Sequence, residues 1–232
     1  MDSRQETILK LLVEEYIATA EPVGSKWLCE KYPLGFSPAT VRHELAALEE
    51  EGYVRAPHTS AGRIPTEKAF IHYLKHFLEP ASEPTAEGRM RRAVREASDG
   101  EEAVKTLAKT VADLSGEMAI VAFDPRWNYR IGFGNLMGKP DFADLEIMRT
   151  LTAMFDRFDD IMNEMYGRAP QSAQVLLGDE NPFGPGTASI VVRYAHPSGV
   201  SGILGLVGPM RMDYGRNLTL LETAKDILDE SD

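Results

Sequence analysis

The dipeptide Ser37-Pro38 constrains this chain more than any other feature. A serine hydroxyl can accept a free N–H of a first helical turn, and proline at the first helical position lacks only an N–H that has no partner there. Val41, Leu45 and Leu48 then recur at helical spacing, and Gly52 supplies a left-handed stop. Two helices precede this one. Ser3-Arg4-Gln5-Glu6 has the pattern of a capping box ahead of Ile8, Leu11, Leu12 and Tyr16, with Glu21-Pro22 beyond the end. Ser25 is expected to cap a short helix through Trp27, Leu28 and Tyr32, closed by Pro33. Leu34-Gly35-Phe36 then makes a tight connection to Ser37.

Beyond Gly52, Tyr53–Ala56 reads as a short strand, Thr59-Ser60-Ala61-Gly62 as a turn and Arg63-Ile64 as a return strand. A fourth helix opens at Thr66-Glu67-Lys68 and places Phe70, Tyr73, Leu74, Phe77 and Leu78 on one face. Three helices, a hairpin and a helix spell a winged helix-turn-helix over residues 1–78. Residues 79–92 carry two prolines and Gly88 in a polar background, which predicts a linker.

Residues 93–232 read as a second, α+β domain with a mainly antiparallel sheet. A helix is expected over 101–115, then strands near 118–124 and 127–133. Asp141 is expected to cap a long helix through Ile147, Leu151, Met154, Phe155, Phe158 and Met162. Strands near 173–178, 188–195 and 200–207 follow, and Asp213 caps a final helix through Leu218, Leu221, Ala224 and Leu228.

Charge weighs against nucleic acid at first, since the chain carries a net -11. The excess is uneven. Residues 1–78 hold 9 Lys and Arg against 11 Asp and Glu, while the remainder holds 16 against 25. Acidic charge away from a contact face weakens long-range attraction without preventing a local basic face. No apolar run approaches the ~20 residues of a membrane helix, the first residues lack the layout of a signal peptide, and Cys29 is the only cysteine. A cytoplasmic protein without disulfides is expected.

In a helix-turn-helix the second helix of the pair enters the major groove by its N-terminal turns. Here those turns present Ser37, Thr40, Arg42 and His43, with Ala39 among them. Arg42 has the fork that grips guanine O6 and N7, and Thr40 and His43 can bond to bases or phosphate. Ser25 and Lys26 are expected to anchor the DNA backbone. On the hairpin, Thr59, Ser60, Ala61 and Gly62 are small enough for close approach, and Arg63 adds a cation for phosphate or the minor groove.

Other features read as structural. His72 and His76 lie at i, i+4 without a third metal ligand and are expected to be exposed. Gly132-Phe133-Gly134 lacks the spacing of a dinucleotide loop. Arg211 and Asp213 are expected to fix a strand-to-helix turn, and Cys29 to fill the core. No nucleophile–base pair or paired-carboxylate constellation stands out, so neither enzyme activity nor a cofactor or metal is expected.

Four tracts carry a family resemblance: Glu21–Ser25, Leu34–Arg42, Leu48–Tyr53 and Pro57–Thr66. They resemble the winged-helix domain of the HrcA heat-inducible transcription repressors. Asn135–Phe142 and Gly205–Tyr214 are similar to later segments of that family. The resemblance implies a GAF-like C-terminal domain and a homodimer that represses chaperone genes from an inverted-repeat operator in double-stranded DNA, with chaperonin as a further partner. Family members are longer and carry an inserted subdomain. Here Ala119–Phe123 leads almost directly to Asn135, implying a short form with a reduced GAF-like sheet. An alternative keeps the DNA-binding half and makes the acidic domain a small-molecule sensor. Another makes the winged helix a protein-docking module.

Overall fold

The computed structural model describes residues 1–58, 61–81, 83–124, 127–143 and 145–230, and the chain divides into two compact units, Met1–Leu78 and Glu79–Asp232. The first unit contains helices α1 (Ser3–Thr19), α2 (Ser25–Lys31) and α3 (Pro38–Glu50), a hairpin of β1 (Val54–Arg55) and β2 (Ile64–Pro65), and helix α4 (Glu67–His76). Its core gathers Ile8, Leu9, Leu12 and Val13 of α1 with Leu28, Val41, Leu45, Leu48, Val54 and Phe70, all essentially buried. Each such side chain contributes roughly 1.5–3 kcal/mol on burial.

The caps differ from expectation in two places. Asp2, not Ser3, caps α1: its carboxylate accepts from the N–H groups of Arg4 and Gln5 at 3.0 and 2.9 Å, and the Gln5 side-chain oxygen accepts in turn from the Asp2 N–H. A charged acceptor at a helix N-terminus outcompetes a hydroxyl. Gly24 occupies the cap of α2, and Ser25 is its first helical residue, largely buried. Ser37 caps α3 as predicted, accepting from Thr40 N–H at 3.1 Å, and Gly52 takes a φ of 78° just beyond its end.

α1 and α2 are joined by charge. Glu15 is 2% exposed, and its carboxylate accepts from Lys31 and, at 3.1 Å, from the Tyr32 hydroxyl. Burial acts to raise its pKa, but hydrogen bonds from Lys31, Trp27 and Tyr32 prevail and leave it below the ordinary value.

The second unit begins earlier than expected. Part of the predicted linker is helix α5 (Pro84–Arg95), followed by α6 (Gly100–Ser115). Pro84 sits in the first turn, where it costs nothing, and Ala86 and Met90 are buried along one stripe. Pro84 and Gly88, which suggested a linker, are thus compatible with a helix, and Pro80 lies ahead of it. Five strands follow in the unit: β3 (Met118–Asp124), β4 (Trp127–Ile131), β5 (Gln174–Leu176), β6 (Thr187–Ala195) and β7 (Ser201–Pro209). They form one antiparallel sheet of order β4-β3-β7-β6-β5.

The expected long helix from Asp141 is also corrected. Pro140–Phe142 forms a single 3₁₀ turn, and after a short helix α7 (Phe133–Met137) the segment divides into α8 (Leu145–Asp156) and α9 (Phe158–Arg168), broken at Arg157. Asp141 itself lies in the 3₁₀ turn and is paired with Arg211, whose Nε stands 2.9 Å from both carboxylate oxygens. Met118, Ile120 and Ala122 of β3 share a core cluster with Leu151 and Met154 of α8 and Phe158, Ile161, Met162 and Met165 of α9. Alternation turns Ala119 and Val121 to the other face, where α6 and the final helix α10 (Tyr214–Glu230) pack. Asp213 caps α10 through the Arg216 N–H at 3.1 Å, as expected.

Beneath this sheet Glu117 is buried, with Lys139 Nζ 2.7 Å from one carboxylate oxygen and no partner for the other among the described residues. Burial raises its carboxyl to about 7 despite the relief from Lys139. Such a group takes up a proton on folding, so its contribution is full below its ordinary value of 4.5 and declines as pH rises toward 7. Relative to Glu117→Gln, the wild type is therefore expected to lose up to about 3 kcal/mol across that window. Thermal melts of both proteins through this pH range check it; parallel stability curves would refute it.

Candidate nucleic-acid interface

The first turns of α3 are open to solvent. Ser37, Ala39, Arg42 and His43 are exposed and Thr40 is half-buried, its hydroxyl 3.0 Å from that of Ser37. Val41 and Leu45 hold the opposite stripe in the core. A cleft of about 380 Å³ joins this surface to its neighbours, lined by Ser25 and Lys26 of α2, Arg42 of α3, and Ala61, Gly62 and Arg63 of the hairpin. Residues from three separate tracts therefore meet, while Ser37, Ala39, Thr40 and His43 lie outside the cleft's lining.

Their local states differ. Arg42 is exposed and, among the described residues, unpaired. Lys26 is 80% exposed and only loosely paired with Glu30, at 3.6 Å. Ser25 is buried at the start of α2 and offers little hydroxyl surface. Thr59 and Ser60 lie outside the described residues.

Gly62 and Arg63 are occupied within the chain. Arg63 exchanges two backbone hydrogen bonds with Val23, at 2.8 and 2.9 Å, and its guanidinium reaches Glu49 of α3 at 2.8 Å. Glu49 also accepts from the Ala56 N–H at 3.0 Å, so one carboxylate grips both arms of the hairpin. The close approach that needs Gly62 is to the chain itself: a Cβ there would stand 2.5 Å from the Val23 carbonyl carbon and 2.7 Å from the Pro22 oxygen. Sequence reasoning missed Glu49 altogether. Within Glu49-Glu50-Glu51 nothing marks the one carboxylate that turns toward the hairpin.

The histidines of α4 differ from expectation. His76 is exposed, but His72 is half-buried, its Nε2 is without a partner, and their rings stack 4.4 Å apart. Burial first, then His76, lowers the His72 pKa. Among the described residues no group of His, Cys, Asp and Glu is arranged to hold a metal, and no helix is long and apolar enough to cross a membrane.

The architecture is α+β: a helical unit with a short hairpin, then a five-stranded antiparallel sheet between helices, consistent with a GAF-like domain. The same fold occurs in a crystal structure of a hypothetical protein, with TM-score 0.77 at 18% identity over 99% of this chain and 98% of that one. A family model described as HrcA protein C terminal domain matches residues 63–218, and the chain belongs to the HrcA family. A heat-inducible transcription repressor HrcA of Nocardioides sp. is 42% identical over 123 residues, 53% of this chain and 36% of that protein. Its counterpart in Desulforudis audaxviator is 54% identical over 80 residues, 34% of this chain and 23% of that protein. The matched segments thus span about a third or less of these relatives' length.

Gly62→Ala forces either the hairpin or Pro22–Val23 to move, because the atoms it meets are backbone. The expected cost is about 1–3 kcal/mol, the range for overpacking a tight site. Hydrogen exchange at Val23 and Arg63 should accelerate together; unchanged protection at both amides would show that the approach is slack.

Proposed function

We propose that this chain is a sequence-specific DNA-binding transcriptional repressor of heat-shock genes, and that residues 1–78 form its winged helix-turn-helix. The observation that carries this reading is the convergence of exposed Arg42 and Lys26 on one cleft beside the open first turns of α3. α3 is the recognition helix, reading base edges through Arg42 with Ser37, Ala39, Thr40 and His43 around it. Lys26 meets phosphate. Arg63 holds the hairpin against α3, since a phosphate contact would have to replace its Glu49 pair.

One such unit reads a half-site, so a homodimer on an inverted-repeat operator gives the needed length of contact. Residues 79–232 supply dimerisation and regulation. The repressor relatives support the heat-shock assignment by their names, and chaperonin enters as the partner that couples repression to protein damage. The working place of such a protein is the cytoplasm.

A second reading, in which the α+β unit senses a small molecule, is favoured by a cleft of about 500 Å³ beside α9 and β5. Met165, Leu176 and Val191 line it, with Arg168 and Glu164 among the charged residues. Metabolites that raise the melting temperature by mass action would support it.

Arg42→Ala is expected to cost about 1–3 kcal/mol and to blur sequence preference. Lys26→Ala should weaken binding evenly across sequences and reduce the salt slope by about 0.9. Both are measured by titrating promoter fragments from the chain's own genome at several salt concentrations. Arg42→Ala with affinity and preference intact would remove α3 from the groove.

A further inference from the structure

Residues 79–232 are acidic overall, yet four of their sixteen cations fall within 89–95, as Arg89, Arg91, Arg92 and Arg95 of α5. The helix buries Ala86 and Met90, so at 3.6 residues per turn its outward face carries Gly88, Arg92 and Arg95, with Arg89 on one flank. Arg91 is on the other flank and is engaged by Glu87 and Glu230, at 2.8 and 3.3 Å. The outward three are far less occupied. Arg92 holds Glu96 at 2.9 Å, but both side chains are mostly exposed, and such pairs exchange readily for other anions. Among the described residues Arg95 reaches only the Arg91 carbonyl, at 3.3 Å. Arg89 is exposed and unpaired among the described residues.

Gly88 is a second, independent observation. Inside a helix glycine is weaker than alanine, and it persists where backbone conformation or crowding demands it. Neither holds here. Gly88 is not among the glycines of positive φ, and a Cβ on it would meet nothing within 4 Å. On an exposed face between arginines, a missing side chain instead admits something from outside close to the helix.

We infer that the face of α5 formed by Gly88, Arg92 and Arg95, with Arg89 beside it, is a second site for DNA, gripping the phosphate backbone without reading sequence. This rests on the DNA-binding reading above and adds a site outside residues 1–78. Planar guanidinium groups match phosphate with paired hydrogen bonds, and the three lie along one row of the helix. Chain order favours DNA over other polyanions. α5 begins at Pro84, shortly after the first unit ends at Leu78, and a surface tethered that closely to a DNA reader meets duplex at high effective concentration. The surrounding acidity confines the approach of phosphate to this face.

The test uses the full chain and two variants, Gly88→Ala and the triple Arg89→Gln/Arg92→Gln/Arg95→Gln, with long and short random-sequence duplexes and vesicles rich in anionic lipid. On the long duplex the triple variant should bind at least ~10-fold more weakly at low salt, with the salt slope shallower by about 0.9 for each phosphate left unneutralised. Sequence ranking should stay as in the wild type, and the short duplex should be affected less. Gly88→Ala should raise the melting temperature while weakening long-duplex binding. A triple variant of wild-type melting temperature and wild-type salt slope would overturn the inference. So would a loss confined to vesicle binding, or Gly88→Ala with full DNA affinity. If the wild type itself shows no salt-dependent binding to any duplex, the DNA-binding reading fails. If the wild type binds and Arg42→Ala weakens it while the triple variant does not, only the role of α5 falls.

Discussion

Two backbone hydrogen bonds between Val23 and Arg63 hold the first unit's exposed surface in shape. β1 and β2 pair over only two residues each, far too little for a hairpin to persist by itself in water. The bridge anchors the returning arm to the segment that leads into α2, and Gly62 makes the approach possible by having no side chain. Glu49 then ties Arg63 and the Ala56 N–H to α3. Loop, hairpin and helix become one body, and the cleft containing Lys26 and Arg42 is the surface that remains. Removing the bridge would free the hairpin arm from this cleft, while α2 and α3 would stay packed through Leu28, Val41 and Leu45.

This explains what the sequence disclosed and what it withheld. The start of α3 was legible because Ser37 and Pro38 act on their own first turn. The sheet was legible because β3, β6 and β7 are long apolar runs. Errors arose where a local signal had a competitor. Ser3 had the capping pattern but Asp2 accepts the first-turn N–H groups, and the one long helix expected from Asp141 is a 3₁₀ turn followed by two helices broken at Arg157. α5 was hidden by a proline and a glycine that each also suit a loop. In the candidate interface the exposed residues of α3 follow from periodicity. The engagement of Arg63 by Glu49 depends on tertiary placement that no spacing encodes.

Distant pairing also organises the second unit. The tracts Asn135–Phe142 and Gly205–Tyr214, which are similar to later segments of the HrcA family, are brought together by charge. Arg211 reaches Asp141 at 2.7 Å through its second guanidinium nitrogen, Lys139 reaches buried Glu117, and the Asn135 amide donates to the Glu117 carbonyl oxygen at 3.2 Å. Gly208 lies directly over Glu117, where a Cβ would collide with the carboxylate. These polar residues therefore have tasks inside the fold. A buried carboxylate with one oxygen unpartnered is expensive unless protonated or matched, and Lys139 and the nearby Arg211 relieve only part of that cost.

The net charge of -11 is then no obstacle to the proposed function. At physiological salt a charge is felt over about 8 Å, so a phosphate responds to the side chains immediately facing it rather than to the sum over the molecule. On the first unit Arg42 and Lys26 line the cleft beside α3, while Arg4, Lys31 and Arg63 are paired with Glu44, Glu15 and Glu49. The chain thus commits part of its positive charge to ion pairs between its elements and leaves Arg42 and Lys26 facing solvent at the cleft. A repressor built this way would approach DNA slowly, because its overall field repels the duplex, yet could hold a correctly placed one through a few local contacts. Its discrimination would come from orientation: only a duplex lying along the uncompensated cations escapes the repulsion of the rest.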